Sequence, residues 1–180
     1  MNGDGVQTTG SEQPVNFDLD GDGVAERIAW TNAATEEGFL YLDLNHKGRV
    51  ESGLELFGVG TVMPDGTRGA DGFQALAVYD SAANGGNSDG VIDAGDNIWN
   101  RLRLWIDRNH DGICDPTETG PLREYGVSAI QLDARAVAIR DRAGNLHQFT
   151  STFNRRVAGG HSEKRGRDFT IDAVAFQRVP

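Results

Sequence analysis

The sequence predicts an α+β fold, and three observations carry the prediction. Aspartate or asparagine recurs at alternate positions ahead of a glycine four times between residues 18 and 118. Apolar residues recur at helical spacing over 72–79, where Phe73, Leu76 and Ala77 share a face. Beyond Gly126 the period shortens to two, through 128–132, 137–140, 146–153 and 169–176. The expected architecture is a lobe of acidic loops and short helices over 1–126, with a β-rich segment over 127–180 packed on it. Antiparallel β structure is expected at both the N-terminus and the C-terminus.

The first β segment spans 12–30, with Val15 and Phe17 alternating before an acidic loop and Ile28 and Trp30 after it. That loop, 18–26, offers side-chain oxygens from Asp18, Asp20, Asp22 and Glu26 and a backbone carbonyl from Val24. Calcium takes six to eight oxygens at loose geometry, and one short turn of this spacing folds them around a single ion. Ala29 stands where a twelfth-position acid belongs, so Glu26 is the expected last protein ligand. This loop is expected between strands rather than helices.

Phe39–Leu42 reads as a short strand leading to a damaged copy, 43–51, which keeps Asp43, Asn45, Gly48 and Glu51 but puts Lys47 at position 5. An ammonium there removes a ligand and repels the ion. The expected state is a metal-free turn in which Lys47 pairs with Asp43. Asp43, Asn45, Glu51 and Glu55 are the weak ligand candidates.

The helix at 72–79 enters a third copy, in which Asp80, Asn87, Asp89, the Val91 carbonyl, Asp93 and Asp96 fall in register around an insertion at 82–86. Asn84 is an alternative ligand to Asn87. Only one short helix fits between Asp96 and Asp107, with Ile98, Leu102, Trp105 and Ile106 as its buried stripe. The alternation of Leu102, Leu104 and Ile106 argues instead for a strand. The fourth copy, 107–118, is a full twelve-position loop. Asp107, Asn109, Asp111, the Ile113 carbonyl, Asp115 and Glu118 are the candidate ligands, and Gly112 makes the sharp turn at position 6. A last helix is expected from Pro116 and Thr117. Loops 80–96 and 107–118 are expected to pair, with Ile92 opposite Cys114.

Composition bounds the function. The 180 residues carry a net charge of -10, and mean hydropathy is -0.46. Residues 1–122 hold 21 acidic and 7 basic side chains, a net of -14, and residues 123–180 hold 6 and 10, a net of +4. Acids crowded into loops repel one another, and calcium relieves that repulsion, so binding and folding are expected to couple. The lone Cys114 reads as a small packed residue. No apolar run reaches membrane length and no signal-peptide pattern opens the chain. Asn2-Gly3-Asp4-Gly5-Val6 looks like a loop lacking its first ligand, as if the sequence began inside a longer chain.

Other chemistry is thin. Arg155, Arg156, Lys164, Arg165 and Arg167 read as a solvated hairpin tip, and with no aromatics interleaved they do not suggest nucleic-acid binding. His46, His110, His147 and His161 have no H-E-x-x-H spacing and are expected to be exposed. No enzyme activity is expected of the chain on its own.

The motif order resembles that of large secreted bacterial RTX-type and cadherin-like proteins that carry an EF-hand-like calcium domain. The resemblance rests on Phe17-Asp-Leu-Asp-Gly-Asp-Gly23, Glu55-Leu-Phe-Gly58, Asp65-Gly66, Gly72-Phe73, Leu76-Ala77, Asp89-Gly-Val-Ile-Asp93 and Leu102-Arg-Leu-Trp-Ile-Asp107, and it covers residues 2–135. It implies an EF-hand-like pair at 72–125 and about three calcium ions, in loops 18–26, 80–96 and 107–118. It also implies a place outside the cell or on its surface, within a larger exported chain whose other partners are unknown. One branch of that family is a calcium-triggered self-processing module that cuts an Asp-Pro bond upstream of its first loop. The only Asp-Pro here, Asp115-Pro116, lies within a loop, where a coordinated carboxylate makes a poor nucleophile. Two alternatives follow: a fragment of such a module, or an adhesin-type spacer whose basic tail meets a partner.

Overall fold

The computed structural model describes residues 6–155, 170–176 and 178–179. Among these, ten strands form three sheets, and the one α-helix, α1 (Gly72–Ala77), has six residues. The fold is therefore mostly β, which corrects the expected α+β class with its EF-hand-like helices.

β1 (Val15–Phe17) and β2 (Glu26–Ile28) pair antiparallel and close loop 18–26 between them, as the alternation on either side of that loop requires. β3 (Phe39–Leu42), β5 (Leu102–Trp105) and β6 (Thr119–Pro121) form the second sheet, with β5 central. The third joins β4 (Val91–Asp93), β7 (Val127–Gln131), β9 (Leu146–Arg155) and β10 (Thr170–Ala175), with β8 (Arg135–Arg140) also paired to β9. The β9–β10 register shifts between Ala173 and Val174, where the apolar alternation of the sequence also changes phase.

The sheet β3–β5–β6 is a partition between two cores. Because strand side chains alternate, Leu42, Leu102 and Leu104 face a core shared with Leu76, Ile92, Ile130 and Phe153. Tyr41 and Trp105 face a second core with Phe17, Trp30, Val50 and Cys114. In the second core Trp30 lies 5.2 Å from Phe17, 4.5 Å from Phe39 and 5.6 Å from Trp105, ring centre to ring centre.

That two-sided burial explains why the helices are missing. A helix over 98–106 would gather Leu102, Trp105 and Ile106 on one face and serve a single core. A strand serves both, so only the 3₁₀ turn Trp99–Arg101 precedes β5. After Asp115 the chain likewise takes β6 and a 3₁₀ turn at Leu122–Tyr125, ended by the left-handed Gly126, in place of a last helix. The expected helix at 72–79 does form: Asp71 caps α1 by accepting the Gln74 N–H at 2.8 Å, and a 3₁₀ turn carries on to Asp80.

The expected pairing of loops is also corrected. Ile92 in β4 stands opposite Ile130 of β7, not Cys114. Cys114 is buried beside Val50, whose backbone hydrogen-bonds its thiol, and burial pushes that thiol's pKa up. Residues 114 and 50 both hold position 8 of their loops, so 107–118 meets 43–51 and loop 80–96 belongs to the other sheet.

Candidate functional site

Four loops share one backbone design. In each, the first aspartate accepts N–H bonds from residues three to five loop positions on. Asp18 accepts from Gly21, Asp22 and Gly23 at 2.8, 3.1 and 3.0 Å. Asp43 accepts from Lys47 and Gly48 at 3.0 and 2.8 Å. Asp80 accepts from Asp89 and Gly90 at 3.2 and 3.0 Å. Asp107 accepts from His110, Asp111 and Gly112 at 2.7, 3.3 and 2.9 Å. Positive φ recurs at position 4 (Gly21, His46, Ser88, His110) and at position 6 (Gly23, Gly48, Gly90, Gly112). Two left-handed residues two apart coil the chain tightly, and position 6 is glycine every time because a Cβ there is strained.

A second carboxylate closes each loop from below. Glu118 accepts the N–H groups of Arg108 and Asn109 at 2.8 and 3.3 Å. Asp96 accepts those of Asn87 and Asp93 at 3.3 and 2.8 Å. Glu55, from just beyond its loop, accepts those of Leu44 and Glu51 at 3.2 and 2.9 Å. Glu26 accepts that of Leu19 at 2.9 Å. Asp96, Glu118 and Glu55 are buried, and Glu26 is half-buried.

Between these two anchors lie the remaining candidates. In loop 18–26, carboxylate oxygens of Asp18, Asp20 and Asp22 lie within 4.8 Å of one another. Oxygens bound to one calcium ion at 2.3–2.6 Å can be at most about 5 Å apart, so this oxygen-only set lies within the reach of a single hard divalent cation. In the other two acidic loops an asparagine holds position 3 and touches the position-5 carboxylate: Asn87 Nδ2 to Asp89 Oδ2 at 2.9 Å, and Asn109 Nδ2 to Asp111 Oδ2 at 2.8 Å. Asp93 accepts the Gly95 N–H at 2.7 Å. Asp115 is exposed, and its carbonyl accepts the Glu118 N–H at 2.9 Å. At position 7 the side chains of Val24 and Ile113 face solvent, so these residues have only a carbonyl to offer.

Loop 43–51 has the same backbone and a different filling. Lys47 Nζ pairs with Glu51 at 2.5 Å, and Arg49 with the other Glu51 oxygen at 3.0 Å. The expected Lys47–Asp43 pair is thereby corrected. Asp43 is committed to backbone N–H groups, and the lysine reaches the acid one turn on. Lys47, then Arg49, holds the Glu51 carboxyl below its usual range.

Three further residues were not legible as site residues. Trp30 Nε1 donates to Asp107 Oδ2 at 2.8 Å and Trp105 Nε1 to Glu118 Oε2 at 3.4 Å, so the aromatic core supports both anchors of loop 107–118. Trp105, two residues before Asp107, had a local signal; Trp30, 77 residues away, had none. Arg178 Nη2 donates to Asp20 Oδ2 at 2.8 Å and Glu26 Oε1 at 3.1 Å.

Histidine chemistry also differs from expectation in one place. His147 is buried, not exposed, with Nδ1 2.8 Å from Asp172 and Nε2 3.2 Å from Asp141. Asn145 donates to the Thr8 hydroxyl at 2.8 Å, and that hydroxyl donates to Asp141. Burial pushes Asp141 up, but bonds from Thr8, His147 and the Asn145 N–H outweigh it and leave the carboxyl below its usual range. With an aspartate against each ring nitrogen, His147 ties β10 to the turn between β8 and β9, and Asp141 and Asn145 carry the link on to Thr8 of the N-terminal segment. Arg155 donates to the Tyr125 carbonyl at 2.9 Å. Arg156, Lys164, Arg165, Arg167, His161 and residues 2–5 lie outside the described residues. Among the described residues no helix is long and apolar enough to cross a membrane.

Comparison with known proteins places this architecture. The chain is 35% identical over 134 residues to the Iron-regulated protein FrpA of Neisseria meningitidis serogroup C. That alignment covers 73% of this chain and 11% of the relative, so the chain spans about a tenth of the curated protein it matches. The SPM domain family matches residues 1–165. This chain belongs to the SPM domain family.

Proposed function

We propose that this chain is a calcium-binding module of a larger exported protein, rigidified by about three ions in loops 18–26, 80–96 and 107–118. The observation that carries the reading is the convergence of Asp18, Asp20 and Asp22 on one centre, within a turn whose backbone recurs at Asp80 and Asp107. The ligands are Asp18, Asp20, Asp22, the Val24 carbonyl and Glu26; Asp80, Asn87, Asp89, the Val91 carbonyl, Asp93 and Asp96; and Asp107, Asn109, Asp111, the Ile113 carbonyl, Asp115 and Glu118. Loop 43–51 carries its own cation in Lys47. Untuned loops of this kind suit the high calcium outside a cell.

Thermal unfolding with and without calcium tests this. Each site at a hundredfold excess over its Kd contributes about 2.7 kcal/mol, and at this chain length each kcal/mol raises Tm by roughly 2–4 °C. Three sites therefore predict a Tm rise of more than about 15 °C on adding millimolar calcium to chelated protein. An unchanged Tm sinks the proposal.

The motif order over residues 2–135, which resembles that of calcium-triggered self-processing modules, supports one second reading: a fragment of such a module. Joining an upstream segment that supplies an Asp-Pro bond ahead of residue 1, then adding calcium, predicts two fragments by mass spectrometry. An intact chain after prolonged incubation rules this reading out.

A further inference from the structure

Loop 18–26 differs from its three relatives in how it is closed. Asp96, Glu118 and Glu55 each place carboxylate oxygens on two backbone N–H groups within their loops. Glu26 spends Oε2 on the Leu19 N–H and turns Oε1 to Arg178, which also holds Asp20. Arg178 comes from the far end of the chain. It forms a β-bridge with Ile28, and the Val179 N–H donates to the Arg27 carbonyl at 2.7 Å, so the 178–179 segment adds to the edge of β2. Upstream in the same segment, Phe176 packs 5.6 Å from Trp30 in the aromatic core.

We propose that Arg178 is a tethered cation competing with the divalent ion for loop 18–26, so that ion binding there and docking of the 178–179 segment on β2 oppose each other. The inference rests on the calcium reading of that loop. Asp20 and Glu26 hold positions 3 and 9, both ligand positions, and the guanidinium spans them from outside. A divalent ion and a guanidinium sharing the same carboxylate oxygens repel each other, and the more highly charged ion gains more from them. Arg178 is 65% exposed, so leaving the loop returns it to water at little cost. Ion binding at loop 18–26 is thereby linked to docking of the 178–179 segment, a link the other loops lack among the described residues.

The test is calcium titration of the whole chain, ¹⁵N-labelled, followed at the position-6 glycine amides, which resolve the loops one by one. Arg178→Gln should tighten the midpoint reported by Gly23 about three- to tenfold, the range of one or two exposed ion pairs. The Gly90 and Gly112 midpoints should not move, and Arg178→Lys, which keeps the charge, should lie nearer wild type. In the wild-type chain, calcium should speed hydrogen exchange at the Val179 amide. A Gly23 midpoint that is unchanged or weaker in Arg178→Gln overturns the competition, as does a Val179 amide equally protected with and without calcium. If Gly90 and Gly112 respond to calcium while Gly23 ignores Arg178, this inference alone fails. If no glycine responds, the calcium reading fails with it.

Discussion

Loops 43–51 and 107–118 each follow a strand of the same sheet, meet at their eighth residues, Val50 and Cys114, and share positive φ at positions 4 and 6. Their fifth residues differ in sign, Lys47 against Asp111. In both, the first aspartate gathers N–H groups from the turn and a buried glutamate closes it. The shape of such a loop is therefore set by its first aspartate, its glycine and its closing acid. Under the proposed function, what the loop can hold is set by the residue at position 5. A well-formed loop backbone is no proof of an ion site, and the donor set decides.

The comparison breaks most visibly at its anchors. Asp107→Ala removes an acceptor from the Trp30 indole and from N–H groups in a buried position. At about 1–3 kcal/mol for each buried donor left unpaired, the expected loss is about 3–5 kcal/mol in urea unfolding with chelator present. Asp43→Ala, in a loop whose turn N–H groups reach water, should cost about 1 kcal/mol. Equal losses would show that the aromatic core does not support loop 107–118.

Position 5 is the next test. Asp111→Lys should lower the calcium count by one while the far-ultraviolet circular dichroism stays unchanged. Lys47→Asp should raise the count by one. If Lys47→Asp gains no ion, backbone and position 5 together are not sufficient.

Asp141 sharpens the contrast from outside the loops. Its carboxyl is held below the usual range in the folded chain, so its contribution is fully present above the ordinary carboxylate pKa. That contribution is lost as pH falls through the lowered folded value. Asp141→Asn should flatten this part of the acid-unfolding curve, and saturating calcium should leave the difference between variant and wild type intact. The smallest expected effect is that of Ile113→Ala. Its side chain is exposed and only its carbonyl is a ligand candidate, so stability should change by less than about 0.5 kcal/mol and calcium affinity should hold.

Strands β1–β3 and β7–β10 were legible because their period is short and their ends are marked by turns. By contrast, β4 and β6 lie where a loop and a helix were expected, and β5 where a helix was weighed against a strand. Loop 18–26 lies between strands as its flanks predict, and the phase change at Ala173 and Val174 is a real register shift. The helices expected around 107–118 were not there to be read. The spacing of Leu102, Trp105 and Ile106 fits a helix, but it cannot show that Leu104 and Trp105 face two different cores. The four loop backbones were visible as spacing. Their supports were not, because Trp30 and Arg178 reach their carboxylates across 77 and 158 positions of chain, and His147 was misplaced for want of its partner Asp172.

The most direct test is isothermal calorimetry of the chelated protein titrated with calcium. The account predicts about three ions, with heats large enough to include ordering of the acidic loops. Heats no greater than dilution would contradict it, and would leave the four loops as turns held by their aspartates and glycines alone.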